Sequence, residues 1–316
     1  MIIVTLGLLI FATLWVLFEK KVLQMIIWFF VFSAISAFSF FLLGSPDVAM
    51  AEAAISSFSG IIFIVCFEKF FDIFDLDRTR IEDEVIRKEK PFKRYFFPTI
   101  VAISLCGLFF YFIPYQGYNS LLKKMYLTSF MYDIGGENAV TSIYLGYRLY
   151  DTLFEALMLV ITVVAITHMS HTNKLVLKDG RHSEIEKSNI SNLILRTIAP
   201  MCIVFGIYLI ANGFLTAGGG FQGGLAVATF FICRFLIYDV YDLPIEKINK
   251  LEEVFFILLI LTSAGVIFQD SIHLVPNEYV SLVQNTYLIL MNLFIGVKVA
   301  CGFVILFYRY VAIERN

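Results

Sequence analysis

The chain has 316 residues, of which 59% are hydrophobic and 16% charged, with a formal net charge of −2. Soluble domains carry about 45–50% apolar and about 25% charged residues, so an ordinary soluble domain is excluded. The small net charge points to no particular partner, and no nucleic acid is expected.

The apolar residues fall in blocks of about 20, the length that crosses a bilayer as a helix. Nine spans are expected, at about 2–19, 23–43, 47–71, 95–113, 149–169, 194–213, 220–241, 252–269 and 283–308. The fold class is therefore an all-α, polytopic transmembrane helical bundle. The first run lacks a basic leader and passes at once into the second, so it reads as a span and not as a cleaved signal peptide.

The third span opens with "GSPDVAMAEAAISSFSG". Ser45 and Pro46 suit an N-cap and a first helical position. Asp47 falls in the first turn, where the helix dipole favours a carboxylate. Glu52 lies five residues further, about 7–8 Å along the axis, with Ser56 and Ser59 continuing its face. A charge in a span costs about 2.5–3.5 kcal/mol on insertion scales, and a polar stripe around Glu52 points to proton or cation handling. Ala49, Ala53, Ser57 and Gly60 line a small-residue face suited to a helix from another subunit.

A charged seam (72–94) separates the third span from the fourth. The fifth opens with "YRLYDTLFEALML", where Arg148, Asp151 and Glu155 share a face at i, i+3 and i+7. Arg148 and Asp151 suit an ion pair near the interface. Two accounts fit Glu155: a pair with Arg148, or a place beside a hydrated path. His168 and His171 close this span as interfacial polar residues, and no metal site is expected. A second polar seam (174–189) follows.

Between spans six and seven stands "LTAGGGFQGGLA". Gly218, Gly220 and Gly223 fit G-x-G-x-x-G, but no strand precedes them and no Lys-Ser/Thr follows, so nucleotide binding is rejected. Gly219/Gly223 and Gly220/Gly224, at i, i+4, suit a tight turn and backbone-close packing of another helix. Gln222 is expected to hydrogen-bond freed amides or a neighbouring subunit. A role in lining an ion or water path is the other reading.

Lys298 falls in the middle of the last span, too deep to reach water easily, so a carboxylate or water should meet it. Glu52 is one carboxylate expected near it. A structural ion pair and a proton-transfer role both fit. Cys66, Cys106, Cys202, Cys233 and Cys301 sit inside apolar runs without CxxC spacing and read as small buried hydrophobes.

Twenty Lys and Arg residues follow odd-numbered spans or lie in the tail, three (Lys123, Lys124 and Arg148) follow even-numbered ones, and Lys298 lies within a span. The positive-inside rule then sets the N-terminus outside and the C-terminus in the cytoplasm, in the plasma (cytoplasmic) membrane.

These motifs carry a resemblance. "GSPDVAMAEAAISSFSGIIF" resembles the "PDVALTEAAVG" segment of MbhD-type subunits and of the C-terminal part of MrpA. "DIGGENAVTSIYLGYRLYDTLFEALML" resembles the MbhE-type segment "NAVTAILLDYRGYDTLGEA", with Gly146 and Leu149 in place of its Asp and Gly. "LILRTIAPMCIVFGIYLIANGFLTAGGGFQGGLAVA" with "LFIGVKVACGFVI" resembles MrpB, equivalently MbhF. Phe214 and Ala217 there replace a His and a Pro before the glycines.

The resemblance implies three fused units: residues 1–90 (MbhD-like), 91–175 (MbhE-like) and 176–316 (MrpB-like). It also implies membership of a hetero-oligomeric Mrp-type Na+/H+ antiporter module. Such a module stands alone or forms the membrane arm of a hydrogen-evolving or other ferredoxin-driven complex. Carboxylates matching Glu52 and Glu155 belong to that family's ion path, with Asp47 and Asp151 beside them, and Lys298 belongs to the MrpB pattern. No cofactor and no catalytic centre are implied. A scaffold that only seals and docks its neighbours is the rival reading.

Overall fold

The computed structural model describes residues 2–19, 21–65, 67, 100, 103–105, 107, 120–171, 189–238, 243–272 and 280–312. Regular structure among them is helical throughout. Packing divides the chain into one unit of Met1–Ile64 with Ser129–Asn316 and another of Val65–Thr128. The expected fourth span and the two charged seams lie almost wholly outside the described residues, as do Cys66 and Cys106.

The helices follow the apolar runs. They are α1 (Ile2–Phe18), α2 (Val22–Leu42), α3 (Pro46–Val65), α4 (Ser120–Asp133), α5 (Ala139–Ser142), α6 (Leu149–His171), α7 (Asn189–Asn212), α8 (Gly220–Tyr238), α9 (Ile245–Ile272) and α10 (Val280–Ala312). Among the described residues, five helices have the length and hydropathy to cross a membrane: Val22–Leu42, Pro46–Val65, Leu149–Met169, Leu193–Asn212 and Val283–Tyr310. Ile3–Phe18 and Gly220–Phe235 are shorter apolar helices. The chain is a multi-pass, all-α membrane protein.

Helix α10 is the centre. Leu288, Met291, Ile295, Val299, Val304, Ile305 and Phe307 are all buried, and a helix apolar on every side belongs inside a bundle. Helices α6, α8 and α9 pack against it, and α7 packs against α8. The outer helices turn large apolar residues outward, among them Phe18, Phe41, Phe154, Met158 and Val204. That exposure suits lipid or protein neighbours and not water.

Backbone-close packing occurs where the glycine spacing predicts it. A Cβ at Gly223 would stand 2.6 Å from the Gly206 carbonyl of α7, and one at Gly220 would stand 2.5 Å from the Asn292 carbonyl of α10. Gly224 meets the Gly296 carbonyl more closely still. The i, i+4 pair Gly220/Gly224 thus fits the i, i+4 pair Asn292/Gly296. The small-residue face of α3 is shared out differently from the expectation. The Phe30 ring covers Gly60 from within the chain and Ala49 is buried, while Ala53 and Ser57 stay exposed.

Between α5 and α6 the chain runs through one π-helical segment, Ile143–Tyr147, closed by the Arg148 amide donating to the Ile143 carbonyl at 2.8 Å. A π-turn leaves backbone carbonyls without their usual partners. Two side chains supply them: Thr152 Oγ1 donates to the Tyr144 carbonyl (2.6 Å) and Tyr287 Oη to the Leu145 carbonyl (2.8 Å). Gly146, which stands where the resembling pattern has Asp, lies against the Ile134 side chain.

Candidate functional site: a polar junction and a buried ion pair

Two polar groupings lie inside the apolar bundle. The first surrounds the turn between α7 and α8. Gly218 and Gly219 adopt φ of 156° and 153°, values that a side chain disfavours, and a Cβ at Gly219 would stand 2.6 Å from the Tyr144 hydroxyl. The turn's amides are taken up by two buried side chains. Asp47 Oδ1 accepts from the Gly218 amide at 3.0 Å, and Asn292 Oδ1 accepts from the Gly220 amide at 3.1 Å and from Tyr144 Oη at 2.8 Å.

Asn138 ties the same knot from the α5 side. Its Oδ1 caps the Val140 amide at 3.0 Å. Its Nδ2 donates to Asp47 Oδ1 (3.0 Å) and to the Gly213 and Thr216 carbonyls (3.1 and 2.9 Å). Thr141 Oγ1 adds a 2.6 Å bond to the Gly213 carbonyl. The Phe214 carbonyl accepts from the Glu137 and Asn138 amides. Asp47 is therefore more than a first-turn carboxylate: it joins α3, α5 and the glycine turn. Gln222 does not take the freed amides as expected. It is half-buried in the first turn of α8, and Asp47 and Asn292 take the Gly218 and Gly220 amides.

The second grouping is the charged one. Lys298 is 0% exposed, and its Nζ lies 2.9 Å from Oε1 of Glu252 on α9, whose side chain is 2% exposed. The two are opposite charges in direct contact on different helices. The Phe256 ring lies 5.6 Å from Nζ, measured to its centroid. Glu155 and Cys301 are within electrostatic reach of the ammonium. The sequence requires a partner for Lys298 and suggests Glu52; the partner is Glu252 instead. Glu252, Leu259 and Ser263 are buried along one side of α9, whereas Glu253 turns outward and accepts from Asn249. That spacing of i, i+7 and i+11 was the available sign that the first of two adjacent glutamates points inward.

The remaining candidates sort as follows. Glu52 is half-buried and accepts a hydrogen bond from Ser33 Oγ of α2 at 2.9 Å. The expected stripe does not reach its carboxylate. Ser56 Oγ donates to the Glu52 carbonyl (2.6 Å), and Ser59 lines an apolar groove with Ile62 and Phe303. Arg148 pairs with Asp151 at 2.5 Å, both largely exposed. Glu155, one turn on, is exposed on α6 and has no hydrogen-bond partner among the described residues. His168 is exposed. Cys202 is half-buried, and Cys233 and Cys301 are buried; all three are free thiols.

The two groupings are not isolated from each other. The Tyr144 phenol lies within electrostatic reach of Asp47 and of Glu155, and Glu155 within reach of Lys298.

The fold and the site define a multi-pass, all-α membrane protein with an ion pair buried at its centre. Comparison with known proteins narrows it. Residues 190–305 match the family described as a domain related to the MnhB subunit of Na+/H+ antiporter, and residues 7–71 match the MbhD family of MBH subunits. A putative antiporter subunit MnhB2 of Staphylococcus haemolyticus is 33% identical over 96 residues, 28% of this chain and 67% of that protein. A putative antiporter subunit MnhA2 of the same organism is 26% identical over 137 residues, 43% of this chain and 16% of that protein. An uncharacterised protein of Methanocaldococcus jannaschii is 27% identical over 131 residues, 37% of this chain and 48% of that protein.

Two solved structures share the fold. The Mrp complex from Dietzia sp. DQ12-45-1b matches with a TM-score of 0.66 at 17% identity, over 95% of this chain and 34% of that one. The membrane-bound sulfane sulfur reductase, an archaeal respiratory membrane complex, matches with a TM-score of 0.51 at 25% identity, over 68% of this chain and 97% of that one. The chain belongs to the family of MnhB-related Na+/H+ antiporter subunits, joined at its N-terminal side to an MbhD-like part. It spans about half the length of the Methanocaldococcus protein and about a sixth of the MnhA2 protein.

Proposed function

We propose that the chain is a non-catalytic membrane subunit of a multi-subunit Na+/H+ antiporter complex, in which Glu155 and Lys298 carry protons or cations through the bundle. One observation carries the reading. A fully buried lysine in the MnhB-related part stands 2.9 Å from a carboxylate on a different helix. Burying charge is costly, and a pair that served only to hold helices together could be replaced by apolar side chains at little cost. Retained charge in a span is by default a sign of a path.

Glu52, held by Ser33, is a second point of access on the same terms, and the Arg148–Asp151 pair flanks Glu155. The junction at Asp47 keeps the three fused units, residues 1–90, 91–175 and 176–316, in register. Glu155 is exposed on an α6 face that also bears Phe154 and Met158. A carboxylate does not face lipid cheaply, so another Mrp- or Mbh-type subunit covers it. The N-terminus lies outside the cytoplasmic membrane and the C-terminus inside. The likeness to the sulfane sulfur reductase over nearly all of that chain favours a second setting, the membrane arm of a respiratory complex, in which the same residues serve an attached redox module.

The test is Na+-driven proton movement in membrane vesicles carrying the whole complex. Glu155→Gln and Lys298→Met, each verified by co-purification of the other subunits, are expected to abolish it. Exchange at the wild-type rate in both assembled variants would leave only the scaffold role.

A further inference from the structure

Glu252 is a buried charged group that no sequence motif singled out. It stands at the start of the apolar part of α9, where a glutamate could reach water, yet its side chain is 2% exposed and aimed at Lys298 Nζ, 2.9 Å away. Its neighbour Glu253 points outward and is satisfied by Asn249 at 2.8 Å, so α9 already has an interfacial carboxylate and does not need Glu252 for that purpose.

We infer that Glu252 exchanges a proton directly with Lys298 and forms the α9-side terminus of the path that runs through Glu155. This rests on the antiporter reading and adds to it a residue and an exit. In the step, an N–H bond of the Lys298 ammonium breaks and leaves its electron pair on nitrogen, while the proton bonds to Glu252 Oε1. Ammonium and carboxylate become amine and carboxylic acid. The pair sums to zero charge before and after, so the transfer leaves no lone ion in the low-dielectric interior. Release of the proton from Glu252 toward the α9 N-terminus, and delivery of another to the amine from the Glu155 side, reset the pair.

The surroundings fit this step better than they fit a clamp. A structural buried ion pair is held by additional hydrogen bonds that satisfy its spare donors and lone pairs. Here Nζ has three protons to donate, and Glu252 Oε1, 2.9 Å away, is the near acceptor among the described residues, at a separation that suits direct transfer. The groups facing the pair are the Phe256 ring, the Cys301 thiol and, more distantly, Glu155. No second base fixes the ammonium from the α9 side among the described residues.

The experiment uses the full complex in vesicles and follows Na+-driven proton movement against pH, with co-purification as the assembly check. Glu252→Gln is expected to assemble and to slow exchange at least tenfold, and Glu252→Asp to keep part of the rate with a displaced pH optimum. The paired variant Lys298→Met with Glu252→Leu leaves no lone buried charge, so it carries the comparison if Glu252→Gln fails to assemble; it is expected to assemble and to be inactive. Wild-type exchange in Glu252→Gln or in the paired variant overturns the inference. If Glu155→Gln abolishes exchange while Glu252→Gln does not, the antiporter reading stands and Glu252 is a clamp. If the wild-type vesicles show no exchange, the antiporter reading falls, and pH-difference infrared spectra of the purified complex decide for Glu252. A carboxylic-acid carbonyl band lost in Glu252→Gln supports proton exchange, and its absence from the wild type overturns it.

Discussion

At the glycine turn, Asp47 accepts two hydrogen bonds, and Asn138 uses both ends of its amide, bonding four partners across α3, α5 and the turn. Deeper in the bundle, Lys298 and Glu252 are more completely buried and yet have one near contact between them. Both places are polar and enclosed by apolar helices. Satisfied polar networks fix one geometry, whereas groups with spare donors and acceptors keep the freedom to change protonation. On the proposed reading the junction is architectural and the pair carries transport, and each half can be broken separately.

The largest effect is expected from the packing that both share. Gly224→Leu would drive a side chain into the Gly296 carbonyl of α10, which cannot move without displacing the central helix. No assembled complex is expected by size-exclusion chromatography in mild detergent; a normal complex would mean that the α8–α10 approach is looser than described.

Next is the junction itself. Asp47→Ala leaves the Gly218 amide without its acceptor, at about 1–3 kcal/mol for a buried donor left unsatisfied, while Asn138 Nδ2 keeps the Gly213 and Thr216 carbonyls. Thermal unfolding of the detergent-solubilised complex should show a clear loss of stability. Vesicles that retain the complex should exchange at the wild-type rate per assembled complex. A stable but inactive Asp47→Ala complex would move Asp47 from architecture to path.

Ser33→Ala sharpens the position of Glu52. It removes the 2.9 Å bond to the Glu52 carboxylate, worth about 0.5–1.5 kcal/mol. If Glu52 belongs to the path, the pH optimum of exchange shifts while assembly persists; an unchanged profile places Glu52 with the structural residues. The smallest effect is expected at the surface. The Arg148–Asp151 pair is largely exposed, and such pairs contribute about 0–1 kcal/mol. Replacing both with Ala should barely move thermal stability, and a large loss would show that a partner subunit encloses the pair.

The helices were legible because a membrane span is written locally: each apolar run states its own length. The close packing of α8 was legible too, since the spacing of Gly219, Gly220, Gly223 and Gly224 is itself a helix-face pattern. What could not be read was which groups meet across the bundle. Asp47 and Gly218 are 171 positions apart, and nothing near either names the other. Glu252 sits beside Glu253 at the edge of an apolar run; its spacing to Leu259 and Ser263 marks it as the inward one, but not that it meets Lys298 of α10. Ser56 and Ser59 gave the opposite error. Their spacing suggested a stripe around Glu52, but in apolar surroundings a serine readily bonds a carbonyl one turn back on its own helix, as Ser56 does. The same limit hid the π-turn, whose freed carbonyls are met by Thr152 and by Tyr287 of a distant helix.

The central claim is that the Lys298–Glu252 pair, and not the junction at Asp47, carries ions. The direct measurement is Na+-driven proton movement in matched vesicles bearing Lys298→Met or Asp47→Asn. Asn at position 47 keeps an acceptor oxygen for the Gly218 amide and Asn138 but removes the charge. The account predicts no exchange in the first and near wild-type exchange in the second, with the other subunits co-purifying in both. Exchange that survives Lys298→Met and disappears in Asp47→Asn would contradict it.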